Sequence, residues 1–185
     1  MEKRSRIVIL NGVGSAGKGS IARALQEIAS RPFLHVEMDA FLAMLPEAYF
    51  DHPDGLVFET VMREGKPRVD ITTGPVGARL LRGMRRAVAA LAAEGNDLIV
   101  DDVMLEDELE DYRRLLAGFD VSVVGVYANL DVLEARERER RDRMPGLARG
   151  QFDLAHKGKD YDFTVDTSTA SPMECARAIK DALRL

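Results

Sequence analysis

The chain has 185 residues, 46% of them hydrophobic and 31% charged, and a net charge of −5. That length suits one compact domain over residues 1–185, and the acidic balance excludes the broad basic field that nucleic acid or an anionic membrane requires. A single cysteine, Cys175, excludes an internal disulfide framework, and no apolar run reaches the roughly 18 residues of a membrane span, so a cytoplasmic setting is expected.

The first predicted element is a buried strand over residues 6–11, rich in β-branched and aliphatic side chains. It runs into NGVGSAGKGS, residues 11–20, and then into IARALQEIA, whose apolar positions recur at helical spacing. A glycine-rich turn between strand and helix points backbone N–H groups at a bound phosphate, and the helix start adds its positive dipole end. Gly12, Gly17 and Lys18 meet the phosphate-loop spacing Gly-x-x-x-x-Gly-Lys. The expected nucleotide-binding set is therefore Gly12, Val13, Gly14, Ser15, Ala16, Gly17, Lys18, Gly19 and Ser20, with Lys18 also neutralising the transferred phosphoryl group. The hydroxyl that usually helps to hold Mg²⁺ comes one place late, at Ser20 after Gly19.

A short strand around LHVE, 34–37, precedes DAFLAML, read as a short helix ended by Pro46. Asp39 stands between them. It is a candidate base for the proton of an attacking hydroxyl, with a helix N-cap as the plain alternative. Residues 46–74 form an excursion rich in Pro, Gly and charge, in which LVFETV and PRVDIT can pair as a hairpin bordering the substrate. Phe41, Met44, Tyr49, Phe50 and Phe58 are candidates for an apolar substrate wall, or plain anchors of the loop.

A long helix over 75–94 ends at Gly95-Asn96, and LIVDDV, 98–103, is again a buried strand. Ligands of an open parallel sheet sit beyond its strands' carboxyl ends, where Asp101 or Asp102 is placed to serve Mg²⁺. DELEDYRRLLAG reads as helix, VSVVGVYA as strand, LDVLEARERERRDR as helix, DFTVDT as a last strand and SPMECARAIKDALRL as a last amphipathic helix, with Cys175 a core or half-buried thiol. This alternation predicts an α/β protein with a parallel sheet covered on both faces.

Within the arginine-rich helix, Arg136, Arg140 and Arg143 fall at i, i+4 and i+7 and share one face. They are placed to close over a triphosphate as a mobile lid across 136–151. Glu134–Arg138, Glu137–Arg141 and Glu139–Arg143 have the spacing of surface ion pairs.

The stretches ILNGVGSAGKGS, MDAFLAM, LIVDDVML, RERERRDR and HKGKDYDFTVDTS followed by SPMECARAI resemble, in order, the chloramphenicol phosphotransferase family. The resemblance spans nearly the whole chain and is poorest through residues 46–95. It implies a three-layer α/β/α P-loop kinase fold with a five-stranded parallel core, ATP and Mg²⁺ as cofactors, and transfer to a hydroxyl of a chloramphenicol-like antibiotic or related metabolite. Antibiotic resistance would be the corresponding role. It places Asp39 on the catalytic base, Arg140 and Arg143 on the lid arginines, and residues 165–168 near the adenine. It gives His156 no role. Gly-Lys-Gly-Ser/Thr also occurs in adenylate kinases, so the late hydroxyl is compatible with activity. Two alternatives stand beside this reading: a nucleoside, nucleotide or shikimate-type kinase, and a nucleotide-dependent switch protein without an acceptor.

Overall fold

The computed structural model describes residues 4–140 and 144–185. In chain order the elements are β1 (Arg6–Asn11), α1 (Lys18–Ile28), β2 (Phe33–Glu37), α2 (Met38–Leu42), a 3-10 turn (Glu47–Tyr49), β3 (Leu56–Arg63), β4 (Lys66–Thr73) and α3 (Pro75–Ala93). Then follow β5 (Asp97–Asp102), α4 (Glu108–Leu115), β6 (Asp120–Tyr127), α5 (Leu130–Glu139), α6 (Leu147–Phe152), β7 (Phe163–Asp166) and α7 (Pro172–Leu183).

Five strands form one parallel sheet in the order β2-β5-β1-β6-β7. β1 is central, and its Ile7, Val8, Ile9 and Leu10 have no exposed surface, which explains why these four consecutive positions are all apolar. Alternation sends Val8 and Leu10 into a core shared with Ile21, Leu25, Leu133 and Ile179, beneath α1, α5 and α7. Ile7 and Ile9 face the other way, onto Met84, Val88 and Tyr112 beneath α3 and α4. Cys175 lies in the first of these cores. Pro75 begins α3, and a Ser171–Glu174 capping box begins α7, so both helices start where their sequences say they should.

The excursion is an antiparallel β3–β4 hairpin, as its two β-rich runs suggest. It stands apart from the main sheet and is held by α6: Val69 N–H donates to Gly146 O, 2.9 Å. Among the described residues no helix is long and apolar enough to cross a membrane.

The arginine-rich segment departs from its predicted form. α5 stops at Glu139, and Arg140 is extended (φ −93°, ψ 122°), so it does not continue the helical face of Arg136. Arg141, Asp142 and Arg143 lie outside the described residues. The expected Glu134–Arg138 surface ion pair gives way to another partner, while Glu137–Arg141 and Glu139–Arg143 involve residues outside the described ones. Glu134 bonds to Arg149, and buried Glu137 accepts from the N–H groups of Gly146 (2.7 Å) and Ala148 (2.8 Å). Two buried amides at the start of α6 need an acceptor, and Glu137 supplies it.

Candidate active site

The loop from Gly12 to Gly17 turns back over the end of β1 and delivers Lys18 into a cleft of about 370 Å³ at the carboxyl ends of the strands. Gly17 ends the turn with φ +88°, a left-handed conformation suited to glycine, immediately before the first residue of α1. Gly14, Ser15, Gly17, Lys18, Gly19 and Ser20 line the cleft, whereas Gly12, Val13 and Ala16 are buried beneath it. Lys18 is buried, and its ammonium donates to Gly12 O (2.9 Å) and Val13 O (3.1 Å).

Two braces hold this loop. Thr167, just past β7, donates from its hydroxyl to Ala16 O, 2.9 Å. Arg136 grips the same threonine, donating to Thr167 Oγ1 (3.0 Å) and Thr167 O (2.7 Å). The guanidinium expected to swing over a triphosphate is thus committed to the loop's own wall and does not line the cleft. From the other side, Gln151 on α6 accepts from Gly14 N–H, 2.8 Å. Gln151 carries no recognisable sequence signal, because its neighbours in LARGQF form a helix too short to show a period.

The adjacent acids of β5 point to opposite layers, since successive strand residues alternate faces. Asp101 faces the cleft, 3.6 Å from Lys18; burial raises its carboxyl above the ordinary range and the Lys18 charge partly offsets this. Asp102 faces the α3–α4 layer, where it accepts from the Tyr112 hydroxyl (2.9 Å) and from Val103 N–H (2.8 Å). Burial pushes its pKa up to about 6. Asp102 does not line the cleft, so of the two candidate metal ligands on β5 only Asp101 faces that space.

Asp39 is the second residue of α2 rather than its N-cap, a position held by Glu37. It borders the phosphate cleft and also a second, mainly apolar cleft of about 470 Å³. Met38, Val103 and Gln151 are shared by both, so the two spaces meet at Asp39. Phe50 and Phe58 contribute to the apolar wall, joined by Leu42, Leu56, Ile71 and Met144. Phe41 packs into the α3–α4 core, Tyr49 sits edge-on to His52, and Met44 is exposed, so these three do not form the wall. Arg140 lines the phosphate cleft although it lies beyond the helix.

Glu37, Asp101 and Arg23 complete the cleft's far side, with His35 behind Glu37. His35 and Glu37 share one face of β2, and Glu37 pairs in register with Asp101. The His35 Nδ1–Glu37 Oε1 distance is 3.4 Å, and Arg23 stands 3.7 Å from the same oxygen. Burial holds the His35 imidazole below its ordinary value. The period-2 pattern of β2 could have indicated this pair, but nothing in the sequence ties it to β5. His156 is a packing residue: it stacks on Tyr127 at 3.9 Å and bonds to the Tyr161 hydroxyl at 2.8 Å, and burial lowers it to about 4.

A strand, a phosphate-sized turn and a lysine at the head of a helix, opposite a strand-end aspartate, make a nucleotide-phosphate cradle. Residues 5–184 match the family model described as "Chloramphenicol phosphotransferase-like protein".

The chain belongs to the chloramphenicol phosphotransferase-like family.

A relative in Mycobacterium tuberculosis H37Rv, named "Putative O-phosphotransferase Rv2636", is 32% identical over 183 residues, covering 96% of this chain and 81% of that one. Among solved structures, the fold is similar to an unliganded sugar kinase from Janibacter sp. HTCC2649 (TM-score 0.68, 20% identity, covering 97% of this chain and 95% of that chain). It is also similar to the M. tuberculosis APS kinase CysC in complex with AMPPNP and APS (TM-score 0.67, 18% identity, 99% of each chain). This family member is thus a phosphotransferase with the P-loop kinase fold.

Proposed function

We propose that the protein transfers the γ-phosphoryl group of ATP to the hydroxyl of a neutral small molecule with an apolar body. The observation that carries this reading is the meeting of the two clefts at Asp39. One is lined by the phosphate loop, and the other is apolar, with no lysine or arginine among the described residues that line it. An anionic acceptor would meet the Glu108 carboxylate with no cation to pair it among the described residues of the lining, whereas a neutral alcohol buries its apolar surface and brings only its hydroxyl to the junction.

In this reading Asp39 takes the proton of the acceptor hydroxyl as that oxygen bonds to the γ-phosphorus and the bond to the β-phosphate oxygen breaks, releasing ADP. Lys18 leaves its loop carbonyls for the phosphates, and Arg140 and Arg143 add positive charge over the moving group. The loop amides from Gly14 to Ser20 orient the phosphates. Mg²⁺ bound with ATP would neutralise phosphate oxygens. Asp101 fits such a cation because its carboxylate faces the cleft beside Lys18, and the exposed Ser20 lines the same space.

An ADP-release screen across neutral aryl and alkyl alcohols, including chloramphenicol, alongside shikimate, gluconate and nucleoside monophosphates, tests the reading. The expected result is turnover with neutral apolar alcohols, with product mass showing one added phosphate. Turnover confined to the anionic acceptors would overturn it.

A further inference from the structure

Gly19 occupies the position at which the phosphate-loop motif carries a hydroxyl. A Cβ placed on Gly19 would lie 3.2 Å from Asp101 Oδ2 and 3.5 Å from Glu37 Oε1. The space that a serine or threonine side chain would enter is therefore bounded by two carboxylates, one from β2 and one from β5. His35 stands beside them on the same face of β2. One donor atom from each of His35, Glu37 and Asp101 lies within 4.8 Å of the other two. The His35 side chain is only 11% exposed, and its Nε2 is buried with no hydrogen-bond partner among the described residues.

We propose that His35, Glu37 and Asp101 bind a divalent cation on the protein itself, before nucleotide arrives, in place of the loop hydroxyl that Gly19 lacks. The inference deepens the phosphotransferase reading and rests on it for the cation's purpose, though not for its binding. In the cation's absence, Lys18 at 3.6 Å from Asp101 and Arg23 at 3.7 Å from Glu37 balance the two carboxylates. A bound cation replaces that balance and frees Lys18 to meet the phosphates. The three donors leave further coordination positions for water and phosphate oxygens. One imidazole with two carboxylates suits Mn²⁺, Co²⁺ or Zn²⁺ better than Mg²⁺, which prefers an all-oxygen set rich in water.

The test is a titration of the full chain with Mn²⁺ in the absence of nucleotide, read from loss of the free-ion electron paramagnetic resonance signal. One Mn²⁺ per chain is expected, with Mg²⁺ competing weakly. Glu37→Gln and, independently, His35→Ala should each weaken binding at least about tenfold, a loss seen even for groups that merely orient a ligand. Asp102→Asn, whose side chain lies in the other layer, should bind as wild type does. Circular dichroism identifies any variant that fails to fold, and His35→Gln then takes its place. Absence of stoichiometric Mn²⁺ binding, or wild-type affinity in folded His35 and Glu37 variants, overturns the proposal. So does Mg²⁺ competing on equal terms. Phosphoryl transfer is measured separately with Mg²⁺ and ATP: turnover without nucleotide-free Mn²⁺ binding would sink this inference alone, and Mn²⁺ binding without transfer to any acceptor would sink the phosphotransferase reading alone.

Discussion

Replacing Asp102 with asparagine separates two neighbouring carboxylates that the sequence leaves indistinguishable. Asp102 is 4% exposed, and burial raises its pKa from 3.8 to about 6 against hydrogen bonds from Tyr112 and Val103 that favour the charged form. Because the folded value is the higher one, the folded state keeps a proton that the unfolded chain has already released. Stability falls as pH rises from about 4 to about 6, and the full cost of the buried charge is present above the folded value. The difference between 3.8 and about 6 corresponds to about 3 kcal/mol. Asparagine keeps an oxygen for Val103 N–H and presents an amide N–H to the Tyr112 oxygen without carrying charge. It leaves the tyrosine proton without that acceptor, a cost of about 1–3 kcal/mol that does not vary across this pH range.

The informative quantity is therefore the change in the stability difference with pH. Urea unfolding of variant and wild type between about pH 4 and about pH 7.5 should show the difference moving in the variant's favour by about 2 kcal/mol, the part of the full shift that lies within this window. His156, lowered by burial to about 4, titrates in the same window with the opposite sign, but both proteins carry it and it cancels. Transfer activity at neutral pH should survive. A pH-independent difference would refute the buried-charge argument, and loss of transfer in a folded variant would refute the assignment of Asp102 to the layer away from the cleft.

Three further predictions concern the cleft and its supports. Asp39→Asn should lower kcat by about 10²–10⁴-fold while ATP affinity, measured by calorimetry, is retained; unchanged turnover would remove Asp39 from the reaction. Lys18→Ala should weaken both nucleotide binding and kcat, and a normal nucleotide affinity would contradict the loop's assignment. Gly150→Ala places a Cβ 1.8 Å from Val69 O, so α6 must part from β4. A stability loss of about 1–3 kcal/mol by thermal unfolding and a raised KM for the acceptor are expected, and an unaltered KM would show that this contact does not shape the apolar cleft.

The fold was largely legible from local pattern. Apolar runs such as RIVILN and DLIVDD, set between helical periods, specify strands buried on both faces, and only a parallel sheet covered by helices buries them so. The phosphate loop was legible for a related reason: its glycines, its lysine and its flanking elements are contiguous, so one short segment carries nearly the whole cradle. The β3–β4 hairpin was legible from two β-rich runs with a turn between them. α6 was not, because its six residues acquire their helical form from contacts with Glu137 and β4 that lie outside the segment.

The sequence by itself determined that a strand–loop–helix unit presents backbone amides and Lys18 to an anion, since every part of that unit is local. Tertiary structure decided the rest of the cleft. Strand alternation and sheet register bring Asp101, and not Asp102, beside Lys18, with His35 and Glu37 next to them. Chain reversal through α6 joins Gln151 to Gly14 and brings the hairpin's apolar face to Asp39. The physical reason is one of range: hydrophobic period and turn chemistry act over a few residues, whereas which charges share a cleft depends on how distant strands pair and which face each side chain takes.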